Sequence, residues 1–181
     1  MRSIPSRLMV VGAAVFAVLG GVAVVAQDKY AVQVPDGLAL AECRGYDDWP
    51  AVGVSHPEAK LLVIVANPTM IDAYRAGVPG NGGHFPDGSK VVKITWNSKQ
   101  NEEAPFPVLV PDTLAAVGCM VKDSSRFPDT AGWGFAQFNY DSGSDTFTPD
   151  TELQENDAKC GFACHSIVAA KDYVFTAYPK R

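Results

Sequence analysis

At 181 residues, with 47% hydrophobic and 19% charged side chains, the chain can form one domain with a substantial core. Its formal charge of −5 argues against nucleic acid and against anionic membrane surfaces as partners. Ligands that are neutral, cationic or very small suit it better.

The first element is a leader. Arg2 and Arg7 precede an uncharged apolar run from Leu8 to Ala26, and small Ala26 stands before Gln27. A basic start, an apolar stretch and a small-residue exit describe a secretory signal peptide over residues 1–26. The same run is also long enough to serve as an uncleaved anchor. Either way residues 27–181 are expected to be exported, and losing two arginines makes them more acidic. Export gives weight to Cys43, Cys119, Cys160 and Cys164, because an oxidising compartment favours disulfides or a cofactor. Four cysteines allow three full pairings, and sequence does not choose among them.

"PDGLALAECRGYDDW" is expected to form an amphipathic helix capped by Asp36. "LLVIVAN", residues 61–67, is a continuous apolar run and predicts a buried strand. Asn67 suits a cap, Pro68 a first helical position and Gly77 a stop, so a short helix is expected over 69–76. "VPGNGGHFPDG" is a long turn. "SKVVKITW" then predicts a strand in which Val92, Ile94 and Trp96 share one face and Val91, Lys93 and Thr95 the other. "NSKQNEEAPFP" is expected to be a polar loop. "LAAVGCMVKD" and the aromatic-rich "GWGFAQFNY" are two more strands. The expected fold class is α+β: a single domain on an antiparallel β-sheet with a few flanking helices.

The tail holds "KCGFACHS", residues 159–166. Covalent haem attachment needs two thiols to reach two vinyl groups and an imidazole behind the second thiol to bind iron. Cys164 and His165 meet the second need. The Cys160–Cys164 spacing is C-x-x-x-C-H, one residue longer than the usual C-x-x-C-H. A helical turn would still place positions i and i+4 on one face, with Asp157 as a fitting cap. Two other readings stand beside haem: a Cys160–Cys164 disulfide with an exposed His165, and a metal held by both thiols and the imidazole. A structural zinc would need a fourth ligand, and no second close Cys/His pair exists. His56 and His84 sit in turn-rich segments and read as surface residues.

Four blocks, "HFPDGSKVVKITW", "MVKDSSRFPDTAGWGFAQFNY", "CGFACH" and "AAKDYVFTAYPKR", resemble the cytochrome P-460 family, in that family's order. The resemblance implies an exported, periplasmic mono-haem c domain over residues 27–181. It implies an antiparallel sheet with flanking helices, often in a homodimer. Cys160 and Cys164 match the attachment cysteines, and His165 matches the proximal ligand of the haem iron. Lys93, in "KVVKI", matches a lysine that cross-links to the porphyrin edge; Lys90 and Lys122 are alternates.

The function implied is oxidation of hydroxylamine or a related small nitrogen compound at an open iron site, with a soluble cytochrome as electron acceptor. Alternatives are a non-catalytic binder of nitric oxide or another small gas, and a mono-haem electron-transfer cytochrome. Hydroxylamine oxidation calls for a base near the iron. Asp123, Asp129 and Asp141 all lie near turns, so none stands out as that base. Phe135, Phe138 and Tyr140 are expected to line the core or the haem pocket. Trp49, Trp96 and Trp133 read as core or pocket-edge aromatics. Arg126 reads as a surface ion-pair partner, with a haem propionate as the alternative. Cys43 and Cys119 form either a second bridge or, for Cys119, a buried thiol. Asp172 is expected to cap or anchor the last segment. Met70 and Met120 are candidate sixth ligands, with apolar packing the simpler role.

Overall fold

The computed structural model describes residues 28–35, 37–150, 159 and 161–180. The expected leader over residues 1–26, Asp36, Asp157 and Cys160 therefore lie outside the described residues. Six strands form one antiparallel sheet in simple chain order: β1 (Ala51–Ser55), β2 (Lys60–Ala66), β3 (Lys90–Gln100), β4 (Leu109–Lys122), β5 (Trp133–Asp141) and β6 (Thr146–Pro149). Two α-helices, α1 (Pro68–Arg75) and α2 (Phe162–His165), and several 3-10 turns flank it. The α+β class expected from the sequence is the observed one. Among the described residues no helix is long and apolar enough to cross a membrane.

The strand alternation read from "SKVVKITW" is realised. Val92, Ile94 and Trp96 join one apolar cluster with Val117, Cys119, Ala136 and Phe138. Val91 joins a second cluster on the opposite face, with Ala66, Phe135 and Trp133. α1 begins where the sequence signals say. The Asn67 side chain accepts from the Met70 N–H at 3.1 Å, and Pro68 needs no hydrogen-bond acceptor there. The same Asn67 oxygen accepts from the Lys90 N–H at 2.9 Å, so one buried side chain joins the starts of α1 and β3.

The amphipathic helix expected near the N-terminus does not form. Two short 3-10 helices, Leu40–Cys43 and Tyr46–Asp48, stand in its place. Gly45, at φ 86°, breaks the segment, and Val34, Leu38, Leu40 and Cys43 all bury onto the sheet at spacings no single helix offers. Cys43 is bonded to Cys119 of β4, which settles the open question about that pair. Closing a loop of 76 residues stabilises the fold by about 4 kcal/mol in the chain-entropy account.

The polar loop after Trp96 also starts later than expected. Asn97 to Gln100 continue β3 past a bulge and pair with Leu109–Pro111. Asn97 donates to Thr113 Oγ1 at 2.7 Å and Lys99 pairs with Asp112 at 3.0 Å, so polar cross-strand contacts sustain a hairpin arm without a core. β1 and β6, both short edge strands containing Gly or Pro, carry too little alternation to be anticipated.

Candidate functional site

A cavity of about 660 Å³ opens between the second face of the sheet and the C-terminal segment. Ile64, Val91, Met120 and Phe135 supply apolar walls from the strands, and Val174 and Phe175 supply them from the tail. Cys164 and His165 of α2 line the same space. The tail is held by α1: the buried Tyr74 donates its hydroxyl to the Thr176 carbonyl at 2.8 Å, and its ring stacks on Tyr178 at 5.6 Å. Thus "KDYVFT", singled out in the sequence, becomes a cavity wall.

His165 is a fixed imidazole. Its Nδ1 lies 2.6 Å from the Tyr173 carbonyl. A carbonyl only accepts, so Nδ1 carries the hydrogen and Nε2 keeps a lone pair. Phe135 and Phe175 flank the ring at centroid distances of 5.0 and 4.9 Å. Burial pushes the His165 pKa below its ordinary value; the Tyr173 hydrogen bond opposes this and the charge of Lys93 adds to it. The result is a neutral, oriented nitrogen donor, the form that binds a metal. Beside it, Cys164 is an exposed free thiol. Cys160, the other thiol of the motif, lies outside the described residues, so the structure does not choose between thioether and disulfide. Among the described residues no three His, Cys, Asp or Glu side chains are grouped to hold a bare metal ion.

α2 reaches the sheet because residue 161 is glycine. A Cβ there would lie 2.6 Å from Phe135 Cδ1, closer than real contacts allow. Across the floor the strand register sets Ile64, Lys93, Gly118 and Gln137 in one row. Gly118 leaves room for its neighbour: a Cβ would sit 3.3 Å from Lys93 Cε. Gln137 donates from Nε2 to the buried Asp150 at 2.8 Å.

The other candidates fall away from this space. The Lys90 ammonium donates to the Glu42 carbonyl on the far face. Lys122 is buried against Asp172. Arg126 binds Glu42 at 2.6 and 3.3 Å, the surface ion pair expected. Asp123 holds its own turn, and Asp129 and Asp141 are exposed; none lines the cavity. Of Phe135, Phe138 and Tyr140 on β5, only Phe135 lines the cavity. Phe138 and Tyr140 pack on the opposite face, as the two-residue period requires. Met70 is fully buried in the core behind α1, whereas Met120 lines the cavity. Trp133 is wholly buried, and Trp49 and Trp96 are partly buried at the first cluster.

Sequence reasoning missed the Gln137–Asp150 pair and the Tyr173 carbonyl. The first was within reach, since Gln137 lies two residues from Phe135 and must share its face. The second is a backbone group, which no residue type announces.

The apolar walls, free thiol and oriented Nε2 together fit a flat apolar macrocycle carrying iron. The model of the Cytochrome P460 family matches residues 43–176. No curated protein matches the chain. The matched span runs from Cys43 through all six strands and α2 to the cavity-lining tail as far as Thr176, so the chain belongs to the cytochrome P460 family and is a haem protein.

Proposed function

We propose that the protein is a periplasmic c-type haem oxidoreductase that oxidises hydroxylamine or a related small nitrogen compound. Thioethers to Cys164 and Cys160 would hold the haem, His165 Nε2 would bind the iron, and Lys93 would join the porphyrin edge. The haem, when bound, would supply a redox-active iron. The observation that carries this reading is the meeting of Cys164, His165 and Lys93 around one cavity.

The chain's own residues have defined tasks. The Tyr173 carbonyl keeps the His165 proton on Nδ1. Phe135, Phe175 and Val174 give the cavity apolar walls on the side of His165. Lys93, partly buried on the floor row, brings its amine to the cavity. Gln137, its Nε2–H donated to Asp150, presents a fixed amide to the cavity that can hydrogen-bond a small nitrogen compound. Electrons would leave to a soluble cytochrome, and a homodimer is part of the same proposal.

A second reading has its own support: among the described residues no carboxylate lines the cavity directly. This suits capture of nitric oxide or a similar gas without turnover. Two measurements decide. The reduced protein is expected to show the red-shifted band that gives the family its number, and Lys93→Met to return it to an ordinary c-type position. Hydroxylamine with an artificial acceptor, assayed without oxygen, is expected to turn over; gas binding without turnover would favour the second reading. A spectrum unchanged by Lys93→Met would remove the cross-link.

A further inference from the structure

The geometry points to the buried Lys122–Asp172 pair as a positioning device for the His165 imidazole, acting through the Tyr173 carbonyl. It rests on the reading of His165 as the iron ligand. Asp172 and Tyr173 follow the 3-10 helix Ser166–Lys171 and have φ of 50° and 64°. Two successive left-handed residues that are not glycine cost on the order of 1–2 kcal/mol each, and persist only where neighbours hold them. Their conformation is what turns the Tyr173 carbonyl back onto His165 Nδ1, 2.6 Å away.

The hold is concentrated on Asp172. Its carboxylate is almost wholly buried and accepts from the Phe85 N–H at 2.8 Å. Lys122 Nζ donates to both carboxylate oxygens, at 3.0 and 3.2 Å, and His84 Nδ1 lies 3.1 Å from one of them. Lys122 is fixed in turn: it donates to the Ala131 carbonyl at 2.8 Å and lies 5.0 Å from the centre of the Trp133 ring. A buried ion pair contributes little net stability once both charges are desolvated. Its strength lies in fixing one geometry, and here that geometry carries the histidine's hydrogen-bond acceptor. A hydrogen bond to Nδ1–H raises the basicity of Nε2 and fixes the ring plane, so the pair reaches the iron's reduction potential through two contacts. "MVKDSS" and "KDYVFT", distant in sequence, act as one unit.

The test is made on the haem-loaded protein, by resonance Raman of the iron–histidine stretch and by redox titration. Asp172→Gly keeps the left-handed backbone accessible but removes every anchor. It is expected to lower the stretching frequency and to shift the ferric–ferrous balance about tenfold, or about 59 mV positive for one electron. Asp172→Asn tolerates the same φ and retains an acceptor for Phe85, so it is expected to keep most of the native signature. If Asp172→Gly yields no folded protein, Lys122→Met in the Asp172→Asn background replaces the pair with uncharged groups of similar size, and the frequency must again fall. Variants that melt earlier while frequency and potential stay native overturn the proposal, leaving the pair a purely structural element. His165→Ala with an unaltered iron–histidine band would overturn the ligand reading itself, and the proposal with it.

Discussion

On one face of the sheet Val92, Val117, Cys119 and Phe138 are sealed from solvent beneath the N-terminal segment. On the other, Ile64, Lys93, Gly118 and Gln137 stay partly exposed along an open floor. Strands β3, β4 and β5 supply both rows. The closed face is filled by branched and aromatic side chains and fastened by the Cys43–Cys119 bond. The open face mixes glycine, lysine and glutamine among its apolar positions, choices that pack poorly alone and suit a guest. The first face is thus packed throughout, whereas the second divides between a buried cluster that includes α1 and the open floor of the cavity.

The strongest way to break this division is to remove the disulfide. Cys43→Ala with Cys119→Ala is expected to cost about 4 kcal/mol in denaturant unfolding, while the haem spectrum stays native below the transition. A spectral change at full folding would mean the two faces are coupled. Next, Gly161→Ala drives a methyl group into Phe135 and is expected to cost about 1–3 kcal/mol. Unlike the first change, it should perturb the iron–histidine signature, because α2 carries Cys164 and His165. The smallest effect sharpens the boundary: Arg126→Ala removes the Glu42 ion pair at the rim of the closed face. With both groups partly exposed, a loss of under about 1 kcal/mol is expected, with no movement of the reduced spectrum.

Much of the open face could be read before any coordinates. The alternation in "SKVVKITW" put Lys93 opposite Val92 and Ile94, and both apolar residues are indeed in the closed core. Asn67 and Pro68 marked the start of α1 to within one residue. The segment that holds the 3-10 helices Leu40–Cys43 and Tyr46–Asp48 departs from the expected helix because its shape is set by long-range burial, Gly45 and a bond to residue 119. Asp172 looked like a local cap. Its partners lie 50 and 87 residues away, a distance at which side-chain identity alone says nothing. The β5 aromatics do line core and pocket, and the period-two alternation that divides Phe135 from Phe138 between the two was available in the sequence.

The strand β4 also sorts sulfur. Cys119 sits in the closed core, bonded to Cys43, whereas Cys164 stands free beside the open cavity. A chain carrying two classes of thiol is exposed to cross-pairing while it matures, and a wrong bridge would consume a group wanted for another reaction. Here the sheet itself is the partition. The paired strands turn the Cys119 side chain into the closed core and leave Cys164 at the cavity, so the folded sheet keeps the two sulfurs on opposite faces and a bridge between them would need the sheet to open.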